Sequence, residues 1–329
     1  MPTIKDIAKE LNLSIATVSR ALSADKTLRQ RVKPGTLKRI DEAASQLEYR
    51  RNREAEFMKR RRSPVIGVFL PDFADSLMAD LMFGMSKAAT NQSFPVRFYP
   101  GMNVDDYRNF IRENIAGQSV GIITYPLADH RAEEAESDLK HYHQKGGHVL
   151  MLNTASSFKN IPVLGIDEFE GGSLAASVLA RHVVPHIVIQ GNSCYPLSER
   201  LRGFENYFTE KNIGKTTERY DWGDDAGDFL CSVIKRHGSF GFFATSDRVA
   251  MQLFRLLPQL GLEPGKDVPV VGFDDLNTSA FSRPALTTVR QPFRELGELA
   301  IEMLTGMFYN RPPLPRTLMK PELIRRESA

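Results

Sequence analysis

Residues 3–20, TIKDIAKELNLSIATVSR, combine small, polar and cationic side chains at helical spacing. Thr3 can cap a first short helix, with Asp6 at the capping-box position, and Ser14 can cap a second helix. The second helix carries Ile15, Ala16, Thr17, Ser19 and Arg20. Side chains this small let a helix enter the DNA major groove, where polar groups read the base edges. The pattern predicts a helix-turn-helix, with an ordinary helical hairpin as the alternative.

Positive charge is concentrated in the same part of the chain. Residues 1–62 hold 16 lysines and arginines against 8 acidic residues, a net charge of +8, whereas residues 63–329 hold 27 against 32, a net charge of −5. The densest run is Lys59–Arg62, and three more arginines lie within residues 50–53. A basic head on a mildly acidic body is typical of a nucleic-acid-binding domain. The run alone fits a solvated linker or a localisation signal, but beside a helix-turn-helix it favours phosphate contact.

The elements that must hold this second helix lie within the first 49 residues. Apolar residues of the first helix fall on one stripe, at Ile4, Ile7, Ala8 and Leu11. A third helix is predicted to open at residues 33–36 (KPGT) and to close a three-helix core. Residues 52–58 (NREAEFM) contain good helix formers without a packing partner, and so short a helix is marginal in water. We expect that segment to become ordered only when something holds it.

After residue 63 the sequence alternates between predicted strands and helices. Nine apolar runs predict buried strands, over residues 65–70, 96–99, 121–125, 148–152, 163–166, 186–190, 241–244, 268–273 and 286–289. Helical patterns separate them, over residues 76–91, 107–116, 132–144, 171–181, 199–211, 227–236, 248–260 and 294–308. The alternation predicts an α/β fold with parallel sheets covered on both faces. Nine strands favour two lobes over one sheet, with a ligand cleft at the carboxyl ends of the strands.

Composition and motifs exclude several classes of protein. The 329 residues contain no apolar run near the roughly 20 residues of a membrane span. The two cysteines, Cys194 and Cys231, have no metal-ligand spacing, and the amino terminus lacks a signal-peptide pattern. Phosphate-binding glycine loops and the GxSxG elbow are absent, and the histidines show no HExxH motif. The sequence therefore predicts a cytoplasmic protein that is not an enzyme and that uses neither a cofactor nor a metal ion.

Six sequence tags occur in order: TIKDIAKELNLSIATVSRAL, LEYRRN, VIGVFLPD, ERLRGF, VVGFDD and PALTTVRQP…PELIRRES. Together they resemble the LacI/GalR family of bacterial transcription regulators over nearly the whole chain. The resemblance implies a homodimer with a DNA-binding headpiece, a hinge helix that forms on operator DNA, and a body shaped like a periplasmic sugar-binding protein.

The resemblance also implies a division of the chain into three parts. The headpiece occupies residues 1–49, the hinge helix and basic linker residues 50–63, and the effector-binding and dimerisation body residues 64–329. The chain crosses three times between the lobes of this body. We expect lobe 1 over about 64–162 and 291–318, and lobe 2 over about 163–290 and 319–329.

For DNA, the resemblance assigns base contacts to Ile15, Ala16 and Arg20, since arginine can contact guanine through two hydrogen bonds. The implied backbone and phosphate anchors are Thr3, Ser14, Thr17, Ser19 and Asn52. Met58 stands where the family places a leucine wedge in the minor groove, and a plain linker residue is the alternative. The chain departs from the family in a loop over residues 23–32 that is about four residues longer, and in Arg51 where proline is usual.

For a small-molecule effector, the resemblance assigns Arg200 and Asp274. A guanidinium fork and a carboxylate suit vicinal hydroxyls or an acidic group. Less specific candidates are Trp222, Asp72, Asp75 and Ser246. Trp222 fits a core role equally well, and the two aspartates fit helix caps. Leu77 and Met78 replace two aromatic residues that are frequent in the family, and Asp167 and Glu168 fit a helix amino terminus.

The sequence thus predicts a ligand-responsive, sequence-specific transcription regulator, with repression favoured, of carbohydrate-related genes. Its expected partners are a near-palindromic double-stranded operator, a sugar or sugar derivative, and a second copy of the chain, without a membrane. One alternative is a sugar-binding transport protein with the same body and no regulatory role, but it leaves the basic headpiece unexplained. A carbohydrate enzyme fused to a DNA-binding head is a further alternative, and it lacks an acid/base pair.

Overall fold

The computed structural model describes residues 2–23, 26–49, 57, 62–71, 76–126, 132–154, 160–182, 186–190, 195–214, 216–221, 223–311 and 313–329. Five predicted site residues lie outside these ranges: Asn52, Met58, Asp72, Asp75 and Trp222. Among the described helices, none is both long and apolar enough to cross a membrane.

The headpiece contains the predicted helix-turn-helix. Helix α1 spans Ile4–Glu10, α2 spans Ile15–Ala21, a short α3 spans Lys26–Arg29, and α4 spans Pro34–Gln46. The side chains of Ile7, Val18 and Ile40 are fully buried between the helices. Helices α1, α2 and α4 therefore each contribute an apolar residue to the centre of the core that orients α2.

The longer connection between α2 and α4 is fastened by one arginine. The guanidinium of Arg29 donates to the Ala21 carbonyl oxygen at 3.1 Å and to Asp41 Oδ2 at 2.5 Å. Arg29 thereby joins the end of α2 to the middle of α4. The longer loop over residues 23–32 thus contains the short helix α3, and the Arg29 contacts hold this loop against both α2 and α4.

The first lobe is a six-stranded parallel sheet with helices on both faces. Its strands are β1 (Ser63–Pro71), β2 (Val96–Gly101), β3 (Ser119–Thr124), β4 (His148–Leu152), β5 (Val163–Ile166) and β11 (Arg316–Met319). The spatial order is β11-β5-β4-β3-β1-β2. Its helices are α5 (Ser76–Gln92), α6 (Val104–Ala116), α7 (Ala132–Gln144) and α12 (Phe293–Phe308). Helices α5 and α12 pack on one face, and α6 and α7 pack on the other.

The second lobe repeats this plan. Its strands are β6 (His186–Gln190), β7 (Thr216–Tyr220), β8 (Phe240–Phe243), β9 (Val270–Asp274), β10 (Thr287–Arg290) and β12 (Glu322–Ile324). The order is β12-β10-β9-β8-β6-β7, and only β12 runs antiparallel to its neighbour. Its helices are α8 (Glu168–Leu179), α9 (Leu197–Glu210), α10 (Ala226–His237) and α11 (Asp247–Leu256). The predicted two-lobed α/β architecture is confirmed.

The chain crosses between the lobes after β5, after β10 and after β11. Strand β5 pairs with β4 and β11, so it belongs to the first sheet. The predicted boundary at residue 162 is therefore wrong by one strand, and the first crossing follows Ile166. Three strands were missed in the sequence, β7, β11 and β12. Each is short and lies at a sheet edge with mostly polar or partly exposed residues, so no continuous apolar run marks it.

Helices α5 and α12 approach each other through glycine. A Cβ atom on Gly297 of α12 would overlap the Leu81 carbonyl oxygen and lie 2.9 Å from the Met85 backbone nitrogen, both on α5. Gly306, near the end of the same helix, has room, because its nearest neighbour would be 3.6 Å from an added Cβ. Backbone contact at Gly297 thus sets the spacing of the two helices that cover this face of the first sheet.

We expect Gly297→Ala to lower the melting temperature of the protein, since overpacking costs roughly 1–3 kcal/mol. Gly306→Ala is the matched control in the same helix, and it should leave the melting temperature unchanged or raise it, because alanine is the better helix former. Thermal unfolding followed by circular dichroism checks both variants. Equal melting temperatures for the two variants would contradict the close-packing argument.

Candidate functional site

Helix α2 presents to solvent the face that the sequence predicts to read DNA. Ile15 keeps 50% of its surface exposed, and Ala16, Ser19 and Arg20 are also exposed. Val18 and Ala21 point into the core with no exposed surface. Residues 15 and 19, and residues 16 and 20, are four apart and therefore share one face of the helix. Helix α2 thus exposes small, apolar and cationic side chains on one face, while Val18 and Ala21 on the other face fix its orientation against the core.

The hydroxyl groups predicted to anchor the DNA backbone also cap the helices. The backbone nitrogen and Oγ1 of Thr3 donate to Asp6 Oδ2 at 2.7 and 2.8 Å, and these hydrogen bonds lower the pKa of the Asp6 carboxyl. Ser14 Oγ accepts from the Thr17 backbone nitrogen at 3.1 Å and lies 2.8 Å from Thr17 Oγ1. These contacts fix the starts of α1 and α2, where the predicted DNA contacts begin.

Arg62, the last residue of the basic run Lys59–Arg62, contacts lobe 1. The Arg62 guanidinium donates to the carbonyl oxygens of Ser119 and Lys145, each at 3.3 Å. Phe57, in the hinge segment, is 2% exposed and stacks on Phe308 at 5.2 Å between ring centroids. Arg62 therefore anchors the linker to lobe 1, and its predicted phosphate contact is replaced by these contacts in the structure.

The three crossings bring the carboxyl ends of the two sheets together. The crossing after β5 leads from the end of that strand into the first turn of α8. The crossing after β10 leads into α12, and β11 leads to the start of β12, which lies beside the end of β10. Every connection therefore joins carboxyl ends, and a parallel α/β fold binds ligands at those ends. The sequence predicts the ligand cleft at these ends.

Arg200, on α9, lies buried at this junction with 5% of its surface exposed. Its Nε donates to Glu168 Oε2 at 2.6 Å, and its Nη1 donates to the Thr245 carbonyl oxygen at 2.6 Å. The same Nη1 lies 3.7 Å from Asp274 Oδ1, and the guanidinium carbon lies 3.8 Å from the centre of the Phe273 ring. The guanidinium is thus held rigidly, as recognition of a ligand requires.

The Arg200–Glu168 pair depends on close packing of α8 against α9. A Cβ on Gly172 would overlap the Arg200 carbonyl oxygen, and a Cβ on Gly203 would overlap the Phe169 carbonyl oxygen. Only glycine at both positions allows the helices to approach this closely. This approach brings the first turn of α8, with Glu168, next to Arg200.

Asp274 combines unusual backbone geometry with burial. Its φ angle is 120°, and the next residue, Asp275, has a φ of 54°. Such strained conformations in non-glycine residues cluster at functional sites. Gln291 Nε2, at the second crossing, donates to Asp274 Oδ1 at 2.7 Å. Burial raises the pKa of Asp274 to about 8, although the charge of Arg200 acts in the opposite direction.

Asp247 holds the loop that follows β9. Its Oδ2 accepts from the Leu276 backbone nitrogen at 2.9 Å and from Ser279 Oγ at 2.5 Å, while Oδ1 accepts from Thr288 Oγ1 at 2.6 Å. Burial raises its pKa to about 6 against the opposing effect of these hydrogen bonds. Asp247 therefore has a structural role in positioning the turn after Asp274. Ser246, which precedes it, is half-buried and begins α11 without a side-chain cap hydrogen bond.

Among the predicted effector residues that the structure describes, Arg200 and Asp274 lie together. Ser246 follows Thr245, whose carbonyl oxygen binds Arg200. The sequence did not single out Gln291 as a site residue. It assigned Glu168 to a helix amino terminus, where Asp167 provides the cap by accepting from the Glu170 backbone nitrogen at 3.0 Å. The sequence did contain one indication of a separate role for Glu168, because it directly follows Asp167, which already caps the helix.

A cavity of about 560 Å³ lies elsewhere, at the amino ends of β4, β5 and β11. It is lined by His148, Asn160, Ile161, Pro162, Val163, Met307, Asn310, Pro313, Pro315 and Arg316. None of the predicted effector residues is among them. The convergence of charged groups at the opposite ends of the strands favours the cleft, because ligands of parallel sheets bind at carboxyl ends.

Two parts of the chain match known families. Residues 3–52 match the bacterial regulatory proteins of the lacI family, and residues 179–329 match the periplasmic binding protein-like domain. Catabolite control protein A of Priestia megaterium is 26% identical over 313 residues, which cover 92% of this chain and 91% of that protein. The transcriptional repressor PurR of Aliivibrio fischeri is 26% identical and covers 100% of this chain and 98% of its own length. The chain therefore carries a DNA-binding domain of the lacI family followed by a periplasmic binding protein-like domain.

Solved structures show that the fold of LacI-family regulators extends along the whole chain. A lac repressor dimer bound to operator and the anti-inducer ONPF has a TM-score of 0.68 at 23% identity, covering 99% of this chain and 98% of that one. The regulator CelR in complex with cellobiose has a TM-score of 0.69 at 21% identity, and both chains are covered completely. Because residues 3–52 match the DNA-binding domain of the lacI family and the relatives over the whole chain are transcription regulators, the regulatory function predicted from the sequence is confirmed over the transport alternative. These relatives are transcription regulators and not enzymes.

The buried carboxyl of Asp274 predicts a pH-dependent stability. With a pKa of about 8 in the folded state against an ordinary 3.8, the folded protein holds a proton that the unfolded chain releases, so this group lowers stability as pH rises between those values. Asp274→Asn keeps an acceptor for Gln291 and removes the titration. We expect its melting temperature to exceed that of the unmodified protein by a margin that grows from pH 5 to pH 8.

Asp275→Asn is the matched contrast, because Asp275 pairs with Arg290 and with Arg326, each at 2.7 Å. Losing these pairs should lower the melting temperature. Differential scanning calorimetry over the pH series measures both variants. A margin for Asp274→Asn that stays constant with pH would contradict the raised pKa.

Proposed function

We propose that this LacI-family regulator is a homodimeric repressor that releases or binds its operator in response to a sugar or sugar derivative held between the lobes. Arg200 and Asp274 are the proposed effector contacts, and the protein acts by binding, without catalysis. The observation that carries this proposal is the buried, pre-positioned guanidinium of Arg200 beside the strained, buried carboxyl of Asp274.

The chemistry of this pair favours a polyhydroxylated ligand. A guanidinium edge donates hydrogen bonds in a fixed direction, and a neighbouring carboxyl group accepts them through its carbonyl oxygen, so the two suit adjacent hydroxyl groups. Ser246 at the start of α11 and Gln291 at the second crossing supply further polar groups in the same region. On the side of lobe 1, Met78 is buried and Leu77 packs against the core of that lobe. Neither provides an aromatic platform, so the preference rests on the polar groups of lobe 2.

The connection to DNA runs through the hinge segment. Phe57 packs against Phe308 and Phe94 of lobe 1, at centroid distances of 5.2 and 5.6 Å, and Arg62 donates to the start of β3 and to the turn after α7 in the same lobe. A movement of lobe 1 relative to its dimer partner would therefore move Phe57 and Arg62 with it. The effector shifts operator affinity only by the difference in its own affinity for the two states.

The base-contact role of Arg20 predicts a loss confined to specific sequences. Arg20→Ala should weaken binding to the preferred operator by roughly 1–3 kcal/mol and relax the preference at one base position in each half-site. Lys38→Ala, an exposed cation on α4, is the control and should leave sequence preference unchanged. Selection from random DNA followed by affinity measurement at fixed salt tests this. A uniform loss over all sequences would assign Arg20 to phosphate contact.

The effector proposal is tested by a thermal-shift screen against sugars, sugar acids, sugar phosphates and nucleobases. A ligand at about 100 times its Kd stabilises the folded protein by about 2.7 kcal/mol, which raises the melting temperature measurably. We expect a carbohydrate to produce the shift and to change operator affinity. Arg200→Lys and Asp274→Asn should lose both effects while retaining operator binding.

Arg202→Ala is the matched control on the same helix, since Arg202 is exposed and, within the described ranges, pairs with Glu199 and the Phe169 ring. It should respond to the effector as the unmodified protein does. A carbohydrate response that survived in Asp274→Asn would place the pocket elsewhere. A response to nucleobases alone would replace the sugar by a purine-type effector.

A further inference from the structure

Two histidines and a glutamate meet at the end of the second sheet that lies away from the cleft. His186 begins β6, Glu218 lies in β7, and His237 ends α10. One nitrogen of each imidazole and one carboxylate oxygen lie within 4.8 Å of one another. His186 pairs in register with the first residues of β7 and β8, which places the cluster at the amino ends of these strands. The cluster is therefore separate from the region around Arg200 and Asp274.

Polar atoms in this cluster are buried without hydrogen bonds. His186 is 3% exposed, and its Nδ1 lies 2.7 Å from Thr216 Oγ1. Its Nε2 is 3.3 Å from Glu218 Oε2, yet within the described part of the chain neither atom makes a hydrogen bond. Glu218 is thus the charged neighbour of this imidazole nitrogen, but a buried nitrogen that makes no hydrogen bond still costs folding free energy.

We propose that His186, Glu218 and His237 bind a divalent transition-metal ion such as Zn²⁺. Two imidazole nitrogens and one carboxylate oxygen form a donor set that zinc accepts, with water in the fourth position. The Thr216 hydroxyl fixes the ring of His186 from its other nitrogen, as partners of metal-bound histidines commonly do. The site would join the beginnings of β6 and β7 to the end of α10 and so stabilise the second lobe.

The charges around the cluster are compatible with a bound cation. Arg236 is the nearby cation, and its Nη2 lies 3.1 Å from Glu218 Oε1 and 3.0 Å from Oε2. For Oε2 to bind the metal, Arg236 has to give up its contact with that oxygen and keep its contact with Oε1.

Binding requires one side chain to rotate. The rings of His186 and His237 are stacked, with centroids 3.8 Å apart and planes 5° from parallel. A metal ion lies in the plane of each imidazole that binds it, so two stacked rings cannot share one ion. His237 is the partly exposed ring, at the end of its helix and before Gly238, whose φ of 75° ends the helix. His237 is therefore the side chain that turns.

Cobalt titration of the full-length protein, purified without a histidine tag and treated with chelator, tests the site. We expect one Co²⁺ per chain with the intense visible absorption of tetrahedral coordination, displacement by Zn²⁺, and a melting temperature that rises with Zn²⁺. His237→Ala, which alters an exposed helix end, should weaken binding by more than the roughly 10- to 100-fold typical when only the hydrogen-bond partner of a ligand is lost.

His141→Ala is the control, because His141 is an exposed histidine on α7 of the other lobe. It should bind Co²⁺ as the unmodified protein does. Glu218→Gln should lose the tetrahedral spectrum while circular dichroism shows a folded protein. Absence of the absorption in the unmodified protein, or its survival in both His237→Ala and Glu218→Gln, would overturn the proposal.

Discussion

A single buried guanidinium organises the place where the two lobes meet. Arg200 carries one positive charge and faces two buried carboxylates, Glu168 at 2.6 Å and Asp274 at 3.7 Å. Burial raises the pKa of Asp274 more than the charge of Arg200 lowers it, so Asp274 keeps a proton at pH values where an exposed aspartate has lost it. Removing either Arg200 or Glu168 would leave the other as an uncompensated buried charge, which is strongly destabilising.

The same contacts connect separate parts of the chain. Glu168 follows the first crossing, Thr245 follows β8, Asp274 ends β9, and Gln291 lies at the second crossing. Arg200 bonds to Glu168 and Thr245 directly, and it reaches Gln291 through Asp274. An effector that contacts Arg200 and Asp274 would therefore act on both crossings at once. In the proposed function, effector binding would thus be coupled to the relative position of the lobes.

Much of the fold could be predicted because buried strands and amphipathic helices leave a periodic apolar pattern. Edge strands such as Thr216–Tyr220 could not be predicted, because their sequence (TTERY) is polar throughout and resembles a loop. Arg200 and Asp274 were accessible through motif resemblance. Glu168 was not, because an acidic residue in a first helical turn is explained equally well by the helix dipole. His186, Glu218 and His237 lie too far apart in sequence for any spacing rule, and only the pairing of β6 with β7 brings the first two together.

The glycine contacts between α5 and α12 have a mechanical consequence. Helices in backbone contact cannot slide past each other without overlap, so this face of the first lobe resists rearrangement. Strand β1 runs nine residues from Ser63 to the cleft side, a length of about 30 Å at the rise of an extended strand. A rotation of the lobe by roughly 10° about the cleft end of this strand would displace Ser63, where the predicted linker ends, by about 5 Å.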